Sequence, residues 1–494
     1  MGKQRPQSRV RAVVAGVLLS SACLGLAAAE KSVVVELKDF KSIVKLRAIC
    51  SESQIGYDIR RAAAGLPSDV DCRMPHICHR VYDKTLRGFA GTLSDDDWSR
   101  LQLCMPGSIL SEEEDKIVVK LEGKPNPLWM AESAQAGDSF DDLDSLVTGF
   151  GGGQQVEYRE INTDIITAYD QTHEVPDELW SLDRVDQEAL PLDGNFSPGY
   201  TGKGVTIYVI DSGIRTSHQE FLTSDAQGRQ TRSVVHGWDF VEDDGDVSDC
   251  DGHGSHVAGT AAGRGVGVAK DANIVGLRIL NCDGDGKVSD AIAALDWVAE
   301  HHERNGGPAV IVMSLGIVGP SQGSRMLERA TRSLVDTYGV TVVVAAGNAQ
   351  LDTCTVSPAN VGSAITVAAT DIPAKYERSG TGKGRSQEDV TYFWGNMGPC
   401  VDLFAPGVQI YSACGGQGRC NTLSDQSYTL ATGSSMAAPL VAGAAAAYLE
   451  EYPGASPSQV KKALLGKASE DMINESYFPP ELWLPGTPNK LLRL

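Results

Sequence analysis

Basic residues are scarce for a chain of this size: Lys and Arg number 43 against 64 acidic residues in 494, a formal charge of −21. A nucleic-acid backbone would be repelled by such a surface, so a nucleic-acid partner is excluded. Proline is also sparse, at 22 residues, and apolar residues make up 42%, which excludes a largely disordered chain and allows a sizeable core in more than one folding unit. No apolar run of spanning length follows residue 29. Close C-x-x-C pairs of the zinc-binding type are missing too, which removes the common structural zinc sites.

A targeting segment is present. Residues 1–11 carry Lys3, Arg5, Arg9 and Arg11, residues 12–29 read AVVAGVLLSSACLGLAAA, and small Ala27 and Ala29 precede Glu30. This is the pattern of a secretory signal cleaved near residue 29 rather than an anchor. Of 11 cysteines, Cys23 leaves with that signal. The rest fall into Cys50, Cys72, Cys78 and Cys104 in the first part and Cys250, Cys282, Cys354, Cys400, Cys414 and Cys420 in the second. Each set can close its own disulfides in an oxidising compartment, and the first four allow three pairings.

The composition divides the chain. Residues 30–121 read as a small α+β unit: a strand at 32–37, a second strand before Ser94, a helix N-capped by Ser94 with acidic residues in its first turn, and a closing strand at 116–121. Residues 122–178 are rich in Gly, Asp, Glu and Ser and read as a linker. From 179 to 494 continuous apolar runs recur, VTIYVI (205–210), NIVGLRIL (273–280), AVIVMSL (309–315) and VTVVVAA (340–346), with helical segments such as 288–302 and 324–338 between them. Strands apolar on both faces predict an α/β domain, a parallel sheet with helices on both faces whose site lies at the carboxyl ends of the strands.

Three segments place chemistry there. Asp211 ends one buried run, His253 stands between glycines in DGHGSHVAGTAAG (251–263), and Ser435 opens the apolar helix in TGSSMAAPLVAGAAAAYLEEY (432–452). A serine hydroxyl needs an imidazole to take its proton, and the imidazole needs a carboxylate to fix its tautomer. The order Asp, His, Ser fits an α/β peptidase and excludes the nucleophile-elbow esterases, in which Ser comes first. Asn348, in AAGN at the end of another run, can donate to an oxyanion. His256 is read as packing, since no third metal ligand accompanies the pair. Pro439 is read as falling in the first turns of the serine helix, where its missing N–H costs nothing. Asn195 (NFS) and Asn474 (NES) are glycosylation acceptors by pattern only.

Together VIDSGI (209–214), GHGSHVAGT (252–260), SLG (314–316), AAGN (345–348) and GSSMAAP (433–439) resemble the subtilase family, nearest its proteinase K and aqualysin-type branch, over residues 179–494. The resemblance implies a secreted serine endopeptidase with catalytic Asp211, His253, Ser435 and Asn348, without a catalytic cofactor. Gly284, Asp285 and Gly286, with Ser314, Leu315 and Gly316, would be strands pairing with a peptide substrate. Ser434 stands where the family usually has Thr, Ile317 where it often has Gly, and Asp285 where it usually has a small polar residue. Asp285 is therefore expected to favour basic side chains on the non-primed side of the substrate.

The same resemblance implies Cys250–Cys282 and Cys354–Cys400 disulfides, leaving Cys414 and Cys420 to close a small loop or remain thiols. It implies structural calcium held by the Asp402 carboxylate with the Gly362 and Ala364 carbonyls, and a second candidate site at Asp244 and Asp246 that also reads as a solvated acidic loop. Residues 79–101 resemble the propeptide inhibitor of the family, a ferredoxin-like module that assists folding and then blocks the cleft. The expected product is a monomeric zymogen acting on peptides and proteins, with no membrane attachment after signal cleavage. The contrasting reading is a secreted binding protein that keeps the fold and its propeptide, cutting itself once and nothing afterwards.

Overall fold

A computed structural model describes residues 30–121, 175–224, 230–232, 234–317, 323–372, 388–416, 424–478, 480 and 482–494. The signal segment, most of the linker and Cys420 lie outside the described residues. No described helix is long and apolar enough to cross a membrane.

The first unit runs strand Lys31–Leu37, helices Phe40–Ile49 and Gln54–Ala64, strands Arg80–Tyr82 and Gly88–Leu93, helix Asp95–Cys104 and strand Ile109–Glu114. The first strand of this unit lies centrally, antiparallel to both Gly88–Leu93 and Ile109–Glu114, with Arg80–Tyr82 at the far edge, a ferredoxin-like order. Ser94 caps its helix as the pattern predicts, in a reciprocal capping box with Asp97. Disulfides join Cys50 to Cys78 and Cys72 to Cys104. The segment expected to close this unit does not: the closing strand is Ile109–Glu114, whose uniformly polar SEEE stretch hides its pairing, and strand Ile117–Lys120 leaves for the other domain.

There the main sheet has ten strands among the described residues. Its parallel core runs in the order Leu403–Pro406, Ile365–Asp371, Thr341–Ala345, Ala309–Met313, Thr206–Asp211, Asn273–Arg278 and Val234–Asp239. Outside the edge strand Val234–Asp239 nearly every side chain in these strands is buried, which is why the runs are continuous rather than alternating. Helices His253–Ala262 and Ser434–Glu451 pack on one face, within the core that contains Val209 and Val343; Val288–Asn305 and Arg325–Asp336 pack on the other, with Ile311 and Val344. Residues 175–178, read as linker from their composition, belong to this domain: Val175 donates to the Gly194 carbonyl, and Val175 and Leu179 are buried in its core. Strand Thr206–Asp211 lies between Asn273–Arg278 and Ala309–Met313, both later in the chain, so the connections that follow it run to either side of its carboxyl end. Asp211 is the residue placed there.

Candidate active site

Asp211 is held first by its backbone, whose carbonyl accepts from Ile279 N at 2.8 Å. Its Oδ1 lies 2.7 Å from His253 Nδ1, and both residues are 0% exposed. A carboxylate only accepts, so Nδ1 carries the proton and Nε2 keeps its lone pair. That Nε2 is buried and makes no hydrogen bond among the described residues.

The histidine loop is organised by a residue the sequence reading passed over. Buried Asp249 accepts from Asp251 N, Gly252 N, Ser255 N, Ser255 Oγ and Ser212 Oγ at 2.6–3.1 Å. Ser212 Oγ in turn accepts from Gly254 N at 2.9 Å, stapling the aspartate loop to the histidine helix. Burial pushes the Asp249 carboxyl up, with these donors pulling the other way. Gly254 has to be glycine, since a Cβ there would stand 2.1 Å from the Gly213 carbonyl oxygen. Asp251 Oδ1 accepts from His253 N at 3.0 Å, and Cys250–Cys282 ties the loop to the next strand's end. His256 is a core residue, its Nε2 on the Ile410 carbonyl at 2.9 Å.

Ser435 is the second residue of helix Ser434–Glu451. Its Oγ donates to the Ser314 carbonyl at 3.0 Å rather than to His253. Pro439 is not in the free first turn, as the sequence reading had it. It is the sixth residue of the helix, where its nitrogen would have donated to the Ser435 carbonyl; Ser314 Oγ supplies that hydrogen bond instead, at 2.9 Å. Asn348 is aimed by Ser434, whose N–H donates to Asn348 Oδ1 at 2.9 Å while its hydroxyl accepts from Gly347 N at 3.0 Å. Ser434 thus has the oxygen this position uses. Asn396, also unforeseen, clamps the same turn: Nδ2 donates to the Ala346 carbonyl, and Oδ1 accepts from Ala349 N and Leu351 N.

Strand Ile117–Lys120 fills the cleft. It pairs antiparallel with Asp285–Lys287 on one side and Leu315–Ile317 on the other, each one residue later than the segments expected. Gly284 and Ser314 contribute carbonyls, accepting from Lys120 N and Leu121 N at 3.1 Å each. Val118 is fully buried, in the core that holds Leu280, Leu315 and Ile317. Leu121 lies against Gly316, where a Cβ would come within 3.1 Å of its Cδ1. The Leu121 carbonyl oxygen accepts from Asn348 Nδ2 at 2.6 Å and from Ser435 N at 3.3 Å, and Ser435 Oγ touches it as well. Asp285, expected to meet basic side chains, is exposed and pairs with Val119 through its backbone; the ammonium of Lys120 is on Asp251.

The calcium expectation needs correction. Gly362, Ala364 and Asp402 do converge, but on Lys461: its Nζ donates to the Gly362 carbonyl at 2.9 Å, the Ala364 carbonyl at 2.7 Å and Asp402 Oδ2 at 2.7 Å. Three donors meet three acceptors, so these residues do not fit a calcium ion beside that ammonium. Nor do Asp244 and Asp246 form a cage. Asp244 accepts from Asp246 N and Asp246 from Ser248 N and Oγ, as local turns do, and among the described residues no three acidic, His or Cys side chains group to hold a metal. Cys250–Cys282 and Cys354–Cys400 are bonded as the resemblance implied, and Cys414 is disulfide-bonded.

The sequence profile described as the subtilase family matches residues 202–478. Among similar proteins, an alkaline serine exoprotease A of Vibrio alginolyticus is 42% identical over 64% of this chain and 50% of its own length. An extracellular serine proteinase of a Thermus species is 44% identical over 62% of this chain and 65% of its own. The match thus spans half to two thirds of those relatives. A cuticle-degrading serine protease of Arthrobotrys oligospora is 31% identical over 82% of this chain and 91% of its own length. The crystal structure of a cold-adapted subtilisin-like serine proteinase superposes with a TM-score of 0.52 at 42% identity, covering 64% of this chain and 97% of the other. Fervidolysin of Fervidobacterium pennivorans, 19% identical with a TM-score of 0.57, shares the fold over 94% of this chain and 60% of its own.

Proposed function

Because this chain belongs to the subtilase family, and because its own residues 117–121 lie across the cleft as a peptide, we propose that it is a secreted serine endopeptidase made as a zymogen, whose first substrate is the Leu121–Glu122 bond. The observation that carries this is the Leu121 carbonyl oxygen, held by Asn348 Nδ2 at 2.6 Å with Ser435 N and Oγ against it. Those donors are where charge develops when a nucleophile adds to that carbonyl. In the reaction Ser435 Oγ leaves the Ser314 carbonyl, passes its proton to His253 Nε2 and bonds to the Leu121 carbon. Asp211 stabilises the imidazolium, which then protonates the departing Glu122 nitrogen. Water releases the acyl group, and Leu121 becomes the carboxyl end of the inhibitor module. The two-sided pairing of 117–120 between two fixed strands is also how an extended substrate would be bound, backbone first and side chains second.

A fluorophosphonate probe tests this. The processed enzyme is labelled at one serine, and Ser435→Ala is not labelled; absence of labelling in the processed wild type would favour the binding-protein reading instead.

Beyond the cleft the module shares an apolar core with helix Val288–Asn305, through Val34, Tyr82, Leu86 and Ala90, and is also held by charged groups. Asp296 accepts from Asp83 N, Lys84 N and Thr85 N, Asp115 caps helix Val288–Asn305 through Ser289 N, and Arg80 meets Asp290, Asp243 and the Phe240 carbonyl. Burial raises Asp290 from 3.8 to about 6 although Arg80 opposes it, and raises Asp296 as well. Released into solvent, these carboxyls return toward about 4. A group with the higher pKa when docked takes up a proton on docking. Docking is therefore favoured below pH about 4, weakens as pH rises to about 6 at Asp290, and then levels off. After cleavage the module should dissociate faster at pH 7 than at pH 5, and Asp290→Asn should shrink that difference, as followed by recovery of peptidase activity.

A further inference from the structure

We propose that Asp251 selects Lys or Arg at the second residue before the cut, so that this enzyme prefers substrates with a basic side chain there and an apolar one at the cut itself. The inference deepens the reading of residues 117–121 as a substrate and rests on it. Lys120 holds that second position, and its ammonium forms an ion pair with Asp251 Oδ2, a carboxylate only 5% exposed. The other oxygen, Oδ1, is committed to His253 N at 3.0 Å, so Asp251 cannot swing out to water without releasing the catalytic helix. The slot is shaped from a second side by Gly284, at φ +85°, where a Cβ would come within 2.5 Å of Lys120 Cε and 2.9 Å of Nζ. The stem of the side chain therefore lies flat on a glycine while its head meets a fixed, mostly buried charge.

A neutral residue in this position covers the carboxylate without giving it a partner, which is the costly half of breaking a buried pair. An acidic residue adds repulsion. The preference is separable from the pockets on either side, where Val118 is enclosed by apolar side chains and Leu121 lies on Gly316. The chain presents its own best substrate in this sense, with Val118, Lys120 and Leu121 each matched to what it touches.

The test compares two peptides identical except at this position, Val-Val-Lys-Leu and Val-Val-norleucine-Leu followed by the same leaving group, on the processed enzyme. The kcat/KM for the lysine peptide should be higher by about 10- to 100-fold, and Asp251→Asn should bring the ratio near one whatever it does to the overall rate. Gly284→Ala should lower turnover of the lysine peptide more than that of a glycine-substituted one. Binding of the two product acids to the wild type is measured alongside. Lysine preference in binding with no turnover would leave selection standing and overturn the proposed reaction. Turnover of both peptides at equal kcat/KM, or an undiminished ratio in Asp251→Asn, would overturn the selection and leave the reaction intact.

A separate observation supports a second inference. We infer that Lys461 is a tethered substitute for a metal cation, joining the turn at 361–364, the start of strand Leu403–Pro406 and helix Pro457–Lys467. Its ammonium is bound by the Gly362 and Ala364 carbonyls and by Asp402, which is also fixed by Thr366 N at 2.9 Å. A dication entering here would meet like charge and oxygens already in use. Thermal unfolding of wild type and Lys461→Met in EDTA and in millimolar calcium decides the matter. The variant should melt several degrees lower in EDTA and gain more from calcium than the wild type does. Equal calcium responses in the two proteins, or an unchanged midpoint for Lys461→Met in EDTA, would contradict it.

Discussion

Ser435→Ala is expected to accumulate with residues 121 and 122 still joined and with peptide hydrolysis lower by about 10⁶-fold. The fold should survive, because the Ser435 side chain contributes little to the core while its backbone contributions persist: the N–H still faces Leu121, and the carbonyl still accepts from Ser314 Oγ at 2.9 Å. The variant should therefore keep the melting transition of an uncut wild type. What it loses is the hydroxyl that lies against the Leu121 carbonyl oxygen and would pass its proton to His253, whose Nε2 is buried and whose Nδ1 is 2.7 Å from Asp211. Finding the module released at Leu121 from this variant would mean that another nucleophile cuts the bond.

Asn348→Leu should lower kcat by about 10²- to 10³-fold while KM changes little. The Asn348 amide meets the carbonyl oxygen, and its contribution grows as that oxygen becomes an anion; substrate affinity comes mainly from strand pairing at 285–287 and 315–317. Self-cleavage should slow in step with turnover, because both pass through the same oxyanion. Asn348 also orients the chain by accepting from Ser434 N, so Ser434→Ala, which removes only the hydroxyl that Gly347 N uses, should cost far less. An Asn348→Leu enzyme with unchanged kcat and a raised KM would show the residue to be a binding group instead.

How much of this was legible in the sequence depends on how local each signal is. The parallel sheet was readable because strands buried on both faces must be continuously apolar, and Asp211 because it terminates one of them. The triad required three distant segments whose chain order restricts the chemistry. Residues that act by fixing loop backbone or through distant partners left no such mark. Asp249 and Asn396 organise loops through backbone donors, as any short polar residue in a loop can. Lys461 sits in an ordinary charged helix, and only the folded chain brings it to Asp402. Strand Ile117–Lys120 was read as part of the module because a strand pattern does not say which sheet it joins; the longer Ile109–Glu114 already completes that sheet. The Pro439 reading failed by a count of residues: the helix begins at Ser434, which puts the proline beyond the first free amides. Asp285 drew attention as an unusual charge near the cleft, yet it points to solvent, whereas Asp251, hidden in the histidine motif, meets the lysine.

The central claim, that the chain cuts itself where its own strand crosses the site, is tested most directly by the masses of the fragments formed by purified precursor. One fragment should end at Leu121 and the other begin at Glu122, with formation at a rate independent of protein concentration. A first cut at any other bond, or one that appears only when a second protease is added, would contradict it.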